Sequence, residues 1–394
     1  MLRPYLELPR AVHILCAGAF VNRAGAFVVP FLSLYLARGL GLGDRFATFA
    51  LGVFGAGGLI AALAGGALAD RLGRRPIMLL SLFGSAAALI VLSQLRLPAL
   101  ILAGVFAFAL FADLYRPASA AMIADLVLPE ARPRAYSLMY VAINLGFAVG
   151  ATVGGQLAVR SFLWLFLGDA ASAVLFGLLI LIAVSESRAG APPAAGALAG
   201  APPDAGGFRP LLSDRPFLAL LGANFLVSVV FHQAFSTLPL SLARTGIGPD
   251  TYGAMIAING LLIVLVQLPL THHLGETRRG PVLALGALTT GIGFGLTALV
   301  SGPGMLATSI VVWTTGEMLL AAFNQPAVSA LAPAPLRARY FGALNATWGL
   351  ALGFGPPLGG VVLETLGTTW LWTLALASGC GAAAVFFSLR KALV

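Results

Sequence analysis

The chain has 394 residues, of which 59% are hydrophobic and 9% charged, with a mean hydropathy of +0.96. A soluble domain carries roughly 25% charged residues, so a water-soluble fold is excluded. The net charge of +9 would suggest nucleic acid in a soluble protein; in a chain this apolar it reads as the Lys/Arg bias of cytoplasmic loops, and no nucleic-acid partner is expected.

Runs of spanning length, roughly 20 apolar residues each, recur along the whole chain. The first six are predicted at Ala11–Leu36, Phe46–Ala69, Ile77–Leu95, Ala99–Leu126, Ala135–Val159 and Phe162–Val184. The first is too long for a cleavable signal and lacks a convincing cleavage site, so it stays as a helix; it carries Asn22 and Arg23. The loop after it spells Gly41-Leu42-Gly43-Asp44, the pattern of aspartyl intramembrane proteases. That pattern lies outside any span and has no second membrane-embedded acid in the needed context. No Gly-x-Ser-x-Gly elbow occurs, so an enzyme is not expected. Between the second and third spans, Gly66-Ala67-Leu68-Ala69-Asp70-Arg71-Leu72-Gly73-Arg74-Arg75 packs a short, strongly charged turn between two apolar runs.

The fourth span carries Asp113 and Arg116, three apart and so on one helical face. They are either a self-neutralising structural pair or part of a coupling site. The fifth holds Tyr140 and Asn144 ahead of Gly146, Gly150, Gly154 and Gly155. Asp169 in the sixth lies near the outer end and either reaches water or caps a neighbour. From Glu186 to Asp214 the composition turns to Ala, Pro and Gly, which reads as a flexible linker.

Six further spans are predicted at Phe217–Leu242, Tyr252–Leu270, Val282–Val300, Met305–Leu331, Phe341–Leu363 and Trp370–Leu389. In the seventh span Asn224, Ser228, His232 and Ser236 recur at four-residue steps, one polar stripe with Gln233 beside it. His232 is either a hydrogen-bonded core histidine or a proton carrier. The tenth holds Thr314, Glu317, Asn324 and Gln325, and no basic residue stands within one turn of Glu317. A carboxyl among apolar side chains suits a site that takes up and releases a proton, which makes Glu317 the first choice for coupling and Asp113 the second. Cys16 and Cys380 sit alone in separate spans, with neither metal spacing nor a disulfide framework, so no metal or cofactor is expected.

The expected fold is an all-α membrane protein: twelve transmembrane helices in two pseudo-symmetric six-helix bundles. The N-terminal bundle is expected over 1–185, the cytoplasmic linker over 186–214 and the C-terminal bundle over 215–394. The halves resemble each other at an offset near 205, with Arg132 and Arg134 matching Arg337 and Arg339, and Gly150, Gly154 and Gly155 matching Gly355, Gly359 and Gly360. With both termini inside, sixteen basic residues fall in cytoplasmic segments and five outside, which fixes the expected orientation. A charge at the centre of a span costs about 2.5 to 3.5 kcal/mol, so such residues face a cavity or a partner. Here the polar load falls chiefly on spans 1, 4, 7 and 10.

The charged turn matches the signature loop of the major facilitator superfamily of secondary transporters, and the resemblance covers nearly the whole chain. It implies that spans 1, 4, 7 and 10 line a central cavity. It also implies that Asp70, Gly73, Arg74 and, from Ile123-Ala124-Asp125, Asp125 latch the cytoplasmic gate. The fifth span, from Asn144-Leu145-Gly146 to Gly154-Gly155, looks like the family's antiporter motif with Ala151 in place of its proline. The eleventh keeps that proline, in Gly355-Pro356-Pro357. Leu114-Tyr115-Arg116-Pro117 partly resembles the helix-4 motif in which an arginine is implicated in proton coupling. Gly316-Glu317-Met318, Pro326 and Ala332-Pro333 are similar to prokaryotic drug:proton antiporters.

These readings converge on a proton-coupled exporter of small amphipathic or drug-like compounds working by alternating access in the inner membrane of a prokaryote, as a monomer. Its partners would be a small-molecule substrate, protons and the lipid bilayer. The alternatives are a proton-coupled importer or passive facilitator, and beyond those a non-transporting receptor or scramblase. The coupling candidates are Glu317, Asp113, Arg116 and His232. The cavity candidates are Asn22, Arg23, Tyr140, Asn144, Asn224, Phe231, Gln233, Phe235, Asn324 and Trp348, whose apolar and aromatic members suit a drug-like ligand.

Overall fold

The computed structural model describes residues 5, 7–187, 209–274, 277–333 and 336–393. Most of the expected linker, residues 188–208, lies outside the described residues, as does Arg3 at the N-terminus. Every secondary-structure element among the described residues is helical. Twelve helices are long and apolar enough to cross a membrane. They are α1 (Arg10–Gly39), α2 (Asp44–Leu72), α3 (Arg74–Gln94), α4 (Pro98–Leu126), α5 (Pro129–Arg160) and α6 (Leu163–Ala183), then α7 (Arg215–Ala234), α8 (Pro249–Leu274), α9 (Arg279–Leu299), α10 (Pro303–Leu331), α11 (Arg339–Thr365) and α12 (Thr368–Lys391). Each matches one expected span, because a 30 Å hydrocarbon core demands helices of roughly this length and hydropathy.

Two helices depart from the expectation of unbroken rods. The regular helix of α1 runs Arg10–Ala24, stops at Gly25, and resumes as Val28–Leu34. The helix of α7 closes in a 3-10 turn over His232–Ala234, and a separate helix follows over Thr237–Arg244. The expected seventh span, Phe217–Leu242, is therefore two pieces. In both cases the second piece has a proline as its third residue, Pro30 and Pro239. A proline there sacrifices no bond, since the first-turn N–H groups have no intrahelical partner, whereas inside a continuous helix it removes one ladder bond, as Pro117 does in α4 and Pro326 in α10.

The residues fall into two compact units. The first holds α1–α6 with the opening of α8 (Gly248–Leu261), and the second holds α7, the rest of α8 and α9–α12. Within the first, α3 packs on α4 and α6, and α1 on α5 and α6; within the second, α9 packs on α10 and α12, and α7 on α11 and α12. The same pairings thus recur at a shift of six helices, as the repeat in the sequence implies. The core of the second unit is built from Phe217, Leu220, Leu283, Phe323, Tyr340 and Phe386, all buried. At the α9–α12 crossing a Cβ on Gly291 would lie 2.8 Å from the Gly379 Cα, so only glycines allow that approach. Large apolar side chains such as Leu63, Ile182, Leu265 and Leu299 stay exposed, as expected of helices that meet lipid.

The Gly41-Leu42-Gly43-Asp44 pattern proves to be a turn between α1 and α2. Gly41 and Gly43 adopt φ of 67° and 82°. Asp44, the first residue of α2, is buried and paired with Arg38 at 2.9 Å.

Candidate functional site

The short charged turn is held at one point in the first unit. α2 ends at Leu72, Gly73 turns the chain at φ 99°, and α3 begins at Arg74. The Arg74 side chain, 9% exposed, reaches Asp70 Oδ1 at 3.0 Å and, with its Nε, Asp125 Oδ2 of α4 at 3.2 Å. It also donates to the Ala69 carbonyl at 3.1 Å. One guanidinium therefore ties the end of α2, the start of α3 and the end of α4, the fork geometry that an ammonium cannot supply.

Two further residues complete this cluster. Gly73 has no side chain with which to cap α3, so its first amides are satisfied from elsewhere. Glu186, just past α6, accepts from the Arg74 N–H at 3.1 Å and the Arg75 N–H at 3.0 Å. A carboxylate at a helix N-terminus is favoured by both the bare donors and the helix dipole. Ser187 donates to Asp125 Oδ2 at 2.9 Å. A cavity of about 390 Å³ opens beside Glu186, lined by Arg71, Leu72, Gly73, Arg75 and Pro76. Sequence reasoning placed Glu186 at the start of the linker and missed this role. The lone acid after an apolar span was the available signal, but its partner lies 112 residues away.

Higher in the same unit a second set of charges gathers. Asp113 Oδ1 meets Arg116 Nε at 3.1 Å on α4. A Cβ on Gly58 of α2 would lie 2.5 Å from Asp113 Oδ2, so the carboxylate is seated against bare backbone. The charges acting on Arg23 of α1 are Arg116, Asp113 and Asp169 of α6, which makes a set of two acids and two bases spread over three helices. Asp169, 5% exposed, caps a neighbour: its Oδ2 accepts from the Val28 N–H at 3.1 Å, where α1 resumes. Asn22 is partly buried beside Arg23, and its carbonyl lies 3.4 Å from Ser172 Oγ. On α5 the Asn144 Nδ2 donates to the Tyr140 carbonyl; Tyr140 is exposed and Asn144 partly buried.

In the second unit the polar stripe of α7 turns inward on its own backbone. Ser228 donates to the Asn224 carbonyl, His232 Nδ1 faces the Ser228 carbonyl at 2.6 Å, and Ser236 donates to the His232 carbonyl. A carbonyl only accepts, so Nδ1 of His232 carries a proton and its tautomer is fixed. Gln233 donates to Val229 and to Gly355 of α11, both at 2.9 Å, and accepts from Thr237 at 2.8 Å.

Below this an amide chain crosses three helices. Thr347 of α11 donates to the Leu344 carbonyl at 2.6 Å, Asn224 donates to Thr347 Oγ1 at 3.2 Å, and Asn324 of α10 donates to Asn224 Oδ1 at 3.0 Å. The Leu344 carbonyl sets the direction of every bond, and Asn324 Oδ1 ends the chain as a buried acceptor with no described donor. Phe231 lies at the centre of an aromatic group, 5.2 Å from Trp348, 5.7 Å from Trp313 and 6.1 Å from Phe235. Trp348 lies 4.6 Å from His232 and keeps 44% of its surface exposed. Glu317 is half-buried on α10. No group of three or more potential metal ligands occurs among the described residues.

A model of the Major Facilitator Superfamily matches residues 15–319 and again 235–393. The chain belongs to this superfamily. It is a multi-pass membrane transporter, not an enzyme. It is 26% identical over 367 residues to the MFS-type transporter YqjV of Bacillus subtilis (strain 168), covering 91% of this chain and 87% of that one. It is 26% identical over 372 residues to a Na(+), Li(+), K(+)/H(+) antiporter of Planococcus maritimus, at 85% of each. The multidrug resistance protein MdtH of Salmonella typhimurium is 25% identical over 320 residues, 80% of this chain and 74% of its own. Among solved structures, a POT family transporter in complex with a thioalcohol-conjugated peptide superposes with a TM-score of 0.81 at 16% identity, covering 99% of this chain and 100% of that one. That likeness establishes the fold.

Proposed function

We propose that this superfamily member is a proton-coupled exporter of small amphipathic or drug-like compounds, working by alternating access in the inner membrane of a prokaryote. One observation carries the reading. Arg116 stands inside a spanning helix, ion-paired to Asp113, with 62% of its side chain exposed. A guanidinium so exposed at membrane depth is tolerated where it borders water rather than acyl chains, and a wet interior is what a transporter needs. The resemblance to a multidrug resistance protein and to a cation/proton antiporter favours export and proton exchange. In this reading residues 1–185 and 215–394 are the two rocking bundles, joined by 186–214, with both termini cytoplasmic and the chain working as a monomer.

Asp70, Gly73, Arg74 and Asp125, joined by Glu186, then form the latch of one end state on the cytoplasmic side. Glu317 and Asp113 are the proton-carrying candidates, with Arg116 and His232 beside them. Asn22, Arg23, Tyr140, Asn144, Asn224, Phe231, Gln233, Phe235, Asn324 and Trp348 supply the cavity. Proteoliposomes carrying an imposed pH gradient, screened with cationic and neutral compounds, test this directly. Accumulation that follows the gradient supports the exporter, whereas exchange indifferent to it identifies a passive facilitator. No solute flux at all identifies a receptor.

A further inference from the structure

α1 and α7 hold corresponding places in the two units and both break, but the breaks are secured differently. In α7 the groups at the break are Ser236, Gln233 and Thr237, none of them ionisable, bonded within the helix and to the Gly355 carbonyl, together with His232, whose Nδ1 donates within its own helix to the Ser228 carbonyl. In α1 the break is secured from α6. Asp169 Oδ2 accepts from the Val28 amide at 3.1 Å, and Ser172 Oγ lies 2.9 Å from the Asp169 carbonyl and 3.4 Å from that of Asn22. The two segments are fitted without slack. A Cβ on Gly25 would collide with Ser172, and one on Gly168 would lie 2.6 Å from the Phe27 ring.

Asp169 is 5% exposed, and the charged group facing it is Arg23, two residues before the break. Asp113 and Arg116 of α4 face Arg23 in turn. The titratable side chains of the other helices packed on α6, Arg74 and Arg75 of α3 and Arg132, Arg134, Tyr136, Tyr140 and Arg160 of α5, are not among the groups acting on Asp169. We infer that Asp169 is a positioning residue that makes the α1 break answer to protonation. Ionised, the carboxylate holds the Val28 amide with a charge-assisted bond and balances Arg23. A proton arriving on Oδ1 or Oδ2 removes that charge from both partners at once. Asp113, paired with Arg116, then remains among the acids described as acting on Arg23, while the peptide that starts the second segment of α1 is held less tightly. Backbone freedom and site charge thus change together, on the helix that carries Arg23.

This inference rests on the proton-coupled reading but its test needs no transported solute. Amide hydrogen exchange of the full chain in detergent is followed for the peptide spanning the α1 break as the pH is lowered from neutral into the acid range, with intrinsic rates corrected. Wild type is expected to lose about tenfold in protection, Asp169→Asn to be weakly protected at every pH, and Glu364→Gln, at an exposed acid of the second unit, to keep the wild-type response. A response that survives in Asp169→Asn, or that Glu364→Gln abolishes, overturns the inference. If Asp169→Asn does not fold, infrared difference spectra on acidification replace it. A carboxylic-acid band that shifts in Asp169→Glu supports the assignment, and an unshifted band overturns it. A pH-silent break sinks this inference alone, whereas absent solute flux in liposomes sinks the exporter reading.

Discussion

Arg74 shows how much one side chain does when it is placed at a helix junction. Its guanidinium meets Asp70 and Asp125 together, and the peptide beneath it is capped by Glu186. Arg74→Lys is expected to keep one ion pair and lose the other, releasing the α4 end from the α2–α3 turn; a double-mutant cycle with Asp125→Asn should show the coupling falling to near zero. Gly73→Ala meets two obstacles, a backbone at φ 99° and ψ 157° that only glycine adopts freely and that costs another residue roughly 1–3 kcal/mol, and a Cβ 2.7 Å from Glu186 Oε2. Glu186→Gln turns one acceptor into a donor facing N–H groups and should cost about 1 kcal/mol. Both losses are read as lower thermal midpoints in detergent, and the double variant should lose less than the sum, because the two residues share one contact.

At the scale of elements, small residues decide which helices can touch and where a carboxylate rests. Gly58 of α2 leaves room for Asp113, so Gly58→Ala should displace that carboxylate without altering any charge. Its transport pH profile is expected to resemble that of Asp113→Asn, while Gly66→Ala, which meets open space on the same helix, should behave as wild type. In the second unit the amide chain Thr347–Asn224–Asn324 links α11, α7 and α10. Thr347→Val strands the buried Asn224 amide and should cost about 1–3 kcal/mol, measurable as a shift in thermal unfolding. The breaks in α1 and α7 belong to this scale as well. Periodicity was blind to them because apolar and polar residues keep their spacing across both, and Pro30 and Pro239 did not mark them, since Pro117, Pro269 and Pro326 sit inside helices that run on unbroken.

For the whole molecule, the repeat of helix pairings across the two units matches the sequence offset near 205, while the charges break the symmetry. Arg23, Asp113, Arg116 and Asp169 lie in the first unit, and the second carries Glu317 with an amide chain and an aromatic group. If Glu317 carries the coupled proton, Glu317→Gln should retain solute exchange but lose accumulation driven by a pH gradient in proteoliposomes. Retained gradient-driven accumulation would move that role to Asp113.

The sequence by itself determined twelve spans, the repeat and the charged turn, with every limit within about six residues except the end of the seventh, which breaks eight residues early, because bilayer thickness and the cost of burying charge act on local composition. It also brought Asp70, Arg74 and Asp125 under suspicion, through a turn and a helix end that resemble the family's signature loop and its partner. Only the tertiary structure decided that Glu186 caps α3, that Asp169 secures the α1 break, that Gly58 seats Asp113, and that Leu344 orients the Asn224 and Asn324 amides. Those contacts join residues that are distant in sequence. Helix packing creates them, and no periodicity along one strand of chain encodes which partner a lone polar group will meet.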